Sequence, residues 1–296
     1  MGAMSIQPTP SLPKFSMSDL RAARASGRRV AMLTCYDFTT ARLMSAADVK
    51  ILLVGDSAGN VILGHDSTIP VELTFMIQIT AAVRRGAPAA LLVADMPFAS
   101  YGDSTGRGAR NVMKLVKQTG CDCVKIEVGR THLPLVRRLA DSGVAVMAHL
   151  GLRPQAVGVL GGYRAQGRTA GSALDIVEMA KDFEKAGAAS ILLEAVPAEV
   201  AEAVVAQTNI PVIGCGAGPA CHGHVVVTHD LVGLTPARPK FAPLLGDAAT
   251  PLAAAFSEFV RQVESGQYPA PEHGYRMPAE EKNRFLNLQP EAGQRV

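Results

Sequence analysis

The sequence predicts an α/β chain folded as a (β/α)₈ TIM barrel, and three observations carry that prediction. Short apolar runs of strand length recur along the chain, amphipathic helix-like segments separate them, and charged residues stand just after the runs rather than within them. The runs are rich in Val, Ile, Leu and Ala on both faces, as parallel strands covered by helices on each side must be. Eight of them in regular alternation favour a closed barrel. A doubly wound open sheet is the second choice.

In chain order, strands are expected at 30–34, 51–55, 90–94, 123–126, 144–148, 190–193, 211–214 and 225–228, the last being the weakest. Helices are expected at 39–47, 75–85, 108–119, 133–142, 173–186 and 198–208. Gly86, Gly120, Gly143 and Gly187 stand where a left-handed cap would end a helix. The connections 56–74 and 149–171 exceed the usual few residues, and long loops after strands point to the walls or lid of a site. The chain thus divides into an N-terminal segment 1–28, a barrel catalytic domain 29–265 and a C-terminal tail 266–296. Pro269, Pro271, Pro278 and many charges make that tail an extended segment that wraps the body or reaches a neighbouring subunit.

Nearly half of the 296 residues are hydrophobic, enough for a large core. With 29 basic and 26 acidic residues and no basic run interleaved with aromatics, the chain is not built for nucleic acid. A small anionic metabolite suits it. Its five scattered cysteines do not form the framework of a small secreted domain and indicate a cytoplasmic setting. No export signal or membrane span is read from the sequence.

The chemistry gathers where polar residues interrupt apolar strands. Asp56, Asp95, Glu127 and Glu194 each follow a strand candidate; Lys125 lies two residues before Glu127, on the same side of its strand, and His149 follows 144–148. In a barrel these positions converge on one mouth. Any one of these acids alone would read equally well as a helix cap. Four together repel unless a cation compensates, and oxygen ligands with water select Mg²⁺, with Asp56 and Asp95 as candidate direct ligands. Such an ion chelated by a 2-oxo acid would acidify the adjacent carbon and stabilise the enolate. Glu194, flanked by Ala195, Val196 and Pro197, is the candidate general base. Lys125 offsets charge on the substrate; a lysine paired to a structural acid and a Schiff-base lysine remain open, the latter ranked below metal catalysis because it needs no rim of acids.

The motifs Val54-Gly55-Asp56-Ser57, Gly64-His65-Asp66-Ser67-Thr68, Ala94-Asp95-Met96-Pro97-Phe98, Lys125-Ile126-Glu127, His149-Leu150-Gly151 and Gly161 to Arg168 resemble, in order and spacing, those of the ketopantoate hydroxymethyltransferase family. The likeness runs from about Thr34 to Glu272. It implies a barrel of the phosphoenolpyruvate mutase type, Mg²⁺, and transfer of a hydroxymethyl group from 5,10-methylenetetrahydrofolate to 3-methyl-2-oxobutanoate, giving 2-dehydropantoate for pantothenate synthesis. It also implies a homo-oligomer, a decameric ring. By the same resemblance Asp56 and Asp95 are metal ligands with Glu127 in the metal shell, and Ser57, Asp95, Lys125 and His149 face the oxo acid. Glu194 takes the C3 proton.

The sequence departs from the family at Val128, where a glycine is usual, at His222-Gly223-His224, and in its longer tail. These departures keep two alternatives in view: a divergent member acting on another 2-oxo acid, and a non-catalytic barrel serving as a binding subunit. Cys215, Cys221, His222, His224 and His229 lack the usual structural-zinc spacing. Cys121 and Cys123 read as core, and 214–218 reads as a tight turn before a phosphate site. The glycine-rich 158–168 reads equally as a surface loop or as a flap whose arginines meet the glutamyl carboxylates of folate.

Overall fold

A computed structural model describes residues 13–288. Residues 1–12 of the N-terminal segment and 289–296 of the tail lie outside the described residues. In chain order the elements are helix α1 (Met17–Ala25), β1 (Val30–Thr34), α2 (Phe38–Ala46), β2 (Ile51–Val54), a short α3 (Ala58–Val61), α4 (Leu73–Gly86), β3 (Leu91–Asp95), α5 (Thr105–Thr119), β4 (Cys123–Glu127), α6 (Leu133–Asp141), β5 (Val146–Gly151), a short α7 (Val157–Leu160), α8 (Ala170–Lys185), β6 (Ser190–Glu194), α9 (Ala198–Gln207), β7 (Val212–Cys215), β8 (Gly223–Val226) and a short α10 (Thr228–Leu231). All eight strands are parallel and close in sequence order, because β8 pairs back onto β1 from Val30 opposite Gly223 to Leu33 opposite Val226. The open-sheet alternative is thereby excluded.

Alternation along each strand sorts the apolar runs into two layers. Leu52, Val54, Leu92, Ala94, Val124, Ile126, Ile191 and Leu193 face outward into the layer that buries Met76, Leu115, Val136 and Phe183 of the helices. Ile51, Leu53, Leu91, Val93, Cys123, Met147, Leu192 and Ile213 face inward. Phe15, Leu20 and Ala23 join that inner cluster, so the segment before β1 is a plug for the amino end of the barrel. Backbone and side chain fix it there: Phe15 N–H donates to the Ala89 carbonyl at 2.8 Å, and Ser16 and Asp19 form a capping box at the start of α1.

Several boundaries shift for identifiable reasons. β8 begins at Gly223 rather than 225, since a Cβ there would stand 2.6 Å from the Val30 carbonyl oxygen and only glycine permits the approach. Gly120, Gly143 and Gly187 adopt the expected positive φ, whereas Gly86 does not: it ends α4 where a Cβ would press on the Phe38 carbonyl oxygen at 2.5 Å.

The chain divides into two compact units, Met1–Leu245 and Gly246–Val296, a division that falls before the expected start of the tail at 266. The second unit contains α11 (Ala249–Glu264) and α12 (Ala279–Leu288). The tail is therefore not wholly extended: Glu280 and Glu281 in the first turn of α12 favour a helix start by their charge. Within this unit Tyr268 meets Phe259 edge-on at 5.2 Å between ring centres. Among the described residues no helix is long and apolar enough to cross a membrane.

Candidate active site

The inward parity that carries Val93, Cys123, Met147, Leu192 and Ile213 places the residues two further along, Asp95, Lys125, His149, Glu194 and Cys215, one layer higher at the carboxyl mouth. Glu127 follows Lys125 by the same step and lies opposite His149 in register, as Asp95 lies opposite Lys125 and Glu194 opposite Gly151. Asp56 and Ser57 stand just past β2. Asp56, Asp95, Lys125, Glu127, His149 and Glu194 line one cavity of about 130 Å³, with Ser57 on its wall. All the residues singled out from the sequence thus come together.

Their contacts divide each acid into a used and a free oxygen. Asp95 Oδ2 accepts the Asp56 N–H at 3.0 Å and lies 3.1 Å from Lys125 Nζ, while its Oδ1 is buried without a partner. Glu127 Oε2 accepts the Gln155 N–H at 3.0 Å, and its Oε1 is likewise buried and unpartnered. Asp56 Oδ2 accepts from Gln155 Nε2 at 2.7 Å. Burial, only partly offset by Lys125 and reinforced by the Asp56 charge, pushes the Asp95 carboxyl up to about 7. Burial and Asp56 also hold the Glu127 carboxyl well above its usual range. Burial works against the charge of Lys125, but Asp95, Asp56 and Glu127 overcome it and hold the ammonium protonated. One lysine facing three buried carboxylates leaves the site short of positive charge.

His149 is buried, and burial followed by the Lys125 charge holds its imidazole neutral. Lys125 Nζ, which can only donate, lies 3.2 Å from Nδ1, so the ring proton sits on Nε2, 3.3 Å from Glu194 Oε2. The backbone of Glu194 is gripped as tightly. Its carbonyl accepts from Leu152 N–H at 2.8 Å, and a Cβ on Gly151, whose φ is +88°, would lie 2.3 Å from that oxygen. Ala195 next to it holds a positive φ of 47°, a strain of roughly 1–2 kcal/mol for a residue with a Cβ.

Three participants escaped the sequence reading, and a fourth, Cys215, was weighed there only as part of a zinc cluster. Tyr36 places its hydroxyl 2.9 Å from Ser57 Oγ, Tyr101 and Gln155 stand behind the acids, and Cys215 lines the cavity. Cys215 alone had a findable signal, since it ends an apolar run as the acids do. Tyr163 of the glycine-rich loop reaches the cavity rim, whereas Arg164 and Arg168 of that loop are exposed.

The departures lie elsewhere. Val128 is fully buried in the layer between sheet and helices. His222 and His224 flank the amino end of β8, where His222 Nδ1 accepts the Val212 N–H at 3.0 Å, while His229 packs against Tyr36 at 5.5 Å. Among the described residues no three His, Cys, Asp or Glu side chains form a preformed metal cage, so Asp56, Asp95 and Glu127 are not a closed ligand set. Magnesium does not require one, because it usually takes one or two carboxylates and completes its shell with water and substrate oxygens.

A family model for ketopantoate hydroxymethyltransferase matches residues 14–271. The 3-methyl-2-oxobutanoate hydroxymethyltransferase of Heliobacterium modesticaldum is 42% identical over 273 residues, spanning 92% of this chain and 99% of its own. The enzyme of the same description from Thermobifida fusca is 43% identical over 262 residues, 88% of this chain and 94% of its own. Among solved structures, oxaloacetate acetylhydrolase superposes with a TM-score of 0.58 at 19% identity over 93% of this chain and 98% of that one. Phosphonopyruvate hydrolase in complex with oxalate and Mg++ superposes at 0.56 and 15% identity over 92% and 98%. A third, 2,3-dimethylmalate lyase of the PEP mutase/isocitrate lyase superfamily, gives 0.56 and 18% over 94% and 96%. At these identities the solved structures share the fold alone, a closed parallel barrel. The match over most of the chain, at more than two-fifths identity, makes this chain an enzyme of the ketopantoate hydroxymethyltransferase family.

Proposed function

We propose that the enzyme transfers a hydroxymethyl group from 5,10-methylenetetrahydrofolate to 3-methyl-2-oxobutanoate, giving 2-dehydropantoate for pantothenate synthesis. The observation that carries this reading is the pair of buried, unpartnered oxygens, Asp95 Oδ1 and Glu127 Oε1, in a site short of positive charge and facing Glu194 across the cavity. That donor set fits Mg²⁺, held by Asp56 and Asp95 with Glu127 in its shell. When bound, the ion would neutralise the carboxylates and polarise the keto group of the oxo acid, making its C3 proton more acidic.

The protein's own groups supply the rest. Lys125 and Ser57 hold the oxo acid, with Tyr36 aiming the serine hydroxyl. Glu194 Oε2 takes the C3 proton, and neutral His149, whose Nε2 lies 3.3 Å from that oxygen, helps to place the carboxylate. His149 thus faces substrate through Glu194. Water first cleaves the two C–N bonds to the donor's methylene carbon, releasing tetrahydrofolate and a one-carbon aldehyde; the enolate then adds to that carbonyl carbon, and the oxygen, now the new hydroxyl, takes back the proton held on Glu194.

The assembly we propose is a homo-oligomer, supported by Leu252, Phe256, Phe259 and Val263, which the second unit by itself leaves uncovered. A reducing, cytoplasmic setting fits five cysteines that are all free.

The test is proton NMR of 3-methyl-2-oxobutanoate in D₂O with enzyme and Mg²⁺, then with the folate added. Metal-dependent loss of the C3 proton followed by 2-dehydropantoate is the expected result. Exchange without product would overturn the donor, and no exchange would overturn the oxo acid.

A further inference from the structure

Behind the acids stands a polar pair whose geometry is over-determined. Gln155 Nε2 donates to Asp56 Oδ2 at 2.7 Å and to the Met96 carbonyl at 2.9 Å, so both amide hydrogens are spent on acceptors. Its Oε1 accepts the Tyr101 hydroxyl at 2.7 Å, and that hydroxyl also lies 3.1 Å from the Glu127 carbonyl oxygen. The main-chain N–H of the same glutamine holds Glu127 Oε2. Tyr101 and Gln155 are both buried.

Only one amide orientation satisfies this set. Flipping it would turn a carbonyl oxygen onto a carboxylate and a second carbonyl, so Asp56 and Met96 fix the amide's orientation. The tyrosine hydroxyl then holds the amide oxygen in place, and the glutamine ties back one oxygen of Asp56 while its main chain ties back one oxygen of Glu127. A second cavity of about 540 Å³ is lined by Phe98, Tyr101, Glu127, His132, Arg153 and Gln155, and Glu127 lines both cavities.

We propose that Tyr101 and Gln155 are positioning residues for the cation site: each acid is held by one oxygen so that the other is presented to the metal, and Tyr101 acts through Gln155. This rests on the Mg²⁺ reading above. Groups that orient a ligand carboxylate without touching the ion alter metal affinity when removed, typically by about 10- to 100-fold.

The experiment is titration of the full-length protein with Mn²⁺, read by the electron paramagnetic resonance signal of the free ion, beside melting of the metal-free protein. Gln155→Leu is expected to weaken Mn²⁺ binding about 10- to 100-fold. It should raise KM for the oxo acid more than it lowers kcat at saturating metal, with the metal-free protein melting lower but cooperatively, because the Met96 carbonyl and Asp56 Oδ2 lose a donor. Tyr101→Phe, which keeps the ring and its packing, should weaken binding in the same direction by less. The double variant should bind Mn²⁺ no worse than Gln155→Leu alone, because the hydroxyl's remaining contact is to the Glu127 main-chain carbonyl and not to a ligand oxygen.

Affinity unchanged within twofold in both single variants, with wild type binding normally, overturns the proposal and leaves the metal reading intact. Additive losses in the double variant overturn the claim that Tyr101 acts through Gln155. A wild type that binds neither Mn²⁺ nor Mg²⁺ overturns the metal reading and this proposal with it. Should Gln155→Leu fail to fold, Tyr101→Phe decides alone, and wild-type affinity in it counts against the proposal.

Discussion

The two ends of this barrel are made from the same strands and have opposite chemistry. At the amino end the inward positions are apolar, and Phe15, Leu20 and Ala23 fill what the strands leave. At the carboxyl end, one or two steps along the same strands, the inward positions are Asp95, Lys125, Glu127, His149 and Glu194. The first end contributes stability through burial of apolar surface. The second works against it, since Asp95 and Glu127 carry protonation shifts that mark charge held in an unfavourable place.

The largest effect expected from breaking this contrast lies at the mouth. Glu194→Gln should keep cation and oxo-acid binding but slow C3 proton exchange by roughly 10²–10⁴-fold, measured by NMR in D₂O. Full exchange would remove Glu194 from the role of base. At the other end Leu20→Ala should cost about 2–5 kcal/mol in denaturant unfolding while leaving the exchange rate of the folded protein as it was. A collapse of that rate would mean that the ends are not separable.

A third prediction concerns pH. The Asp95 carboxyl is raised from 3.8 to about 7 in the folded chain, so the native state holds a proton that the unfolded chain releases. Metal-free stability should therefore fall as pH rises from about 4 to 7, by up to about 1.4 kcal/mol per pH unit for that one group. His149, held below 6.5, opposes this trend as its unfolded form takes up a proton at low pH. Asp95→Asn, neutral at every pH, isolates the term: its slope across that window should be flatter, and its stability relative to wild type should improve as pH rises. An unchanged slope would refute the assignment. The smallest effect should come from Ser16→Ala, which removes the cap of α1 for about 1 kcal/mol and no change in chemistry.

How much of this was legible follows from the same contrast. Strand parity is local, so the inward set and the acids that end apolar runs could be read from spacing alone. Tyr101 and Gln155 could not, because the first lies in an irregular loop and the second in a single 3₁₀ turn, Pro154–Ala156, too short for any periodicity to show, and Gln155 meets Asp56 from 99 positions away in the chain. The plug was hidden for another reason. The pattern of Leu20 and Ala23 marks one face of a helix as apolar without saying which surface that face covers. Val128 shows the converse error: a residue beside a motif in the chain points away from the site in space.

The packed inner layer and the plug also govern traffic. Ile51, Leu53, Leu91 and Val93 with Phe15, Leu20 and Ala23 fill the barrel below the acids, so among the described residues the candidate site is reached from the carboxyl face. If the proposed reaction holds, with the small oxo acid beneath and the bulky carrier above, that one-sided access would impose a queue: a fixed order of entry and its mirror image on exit.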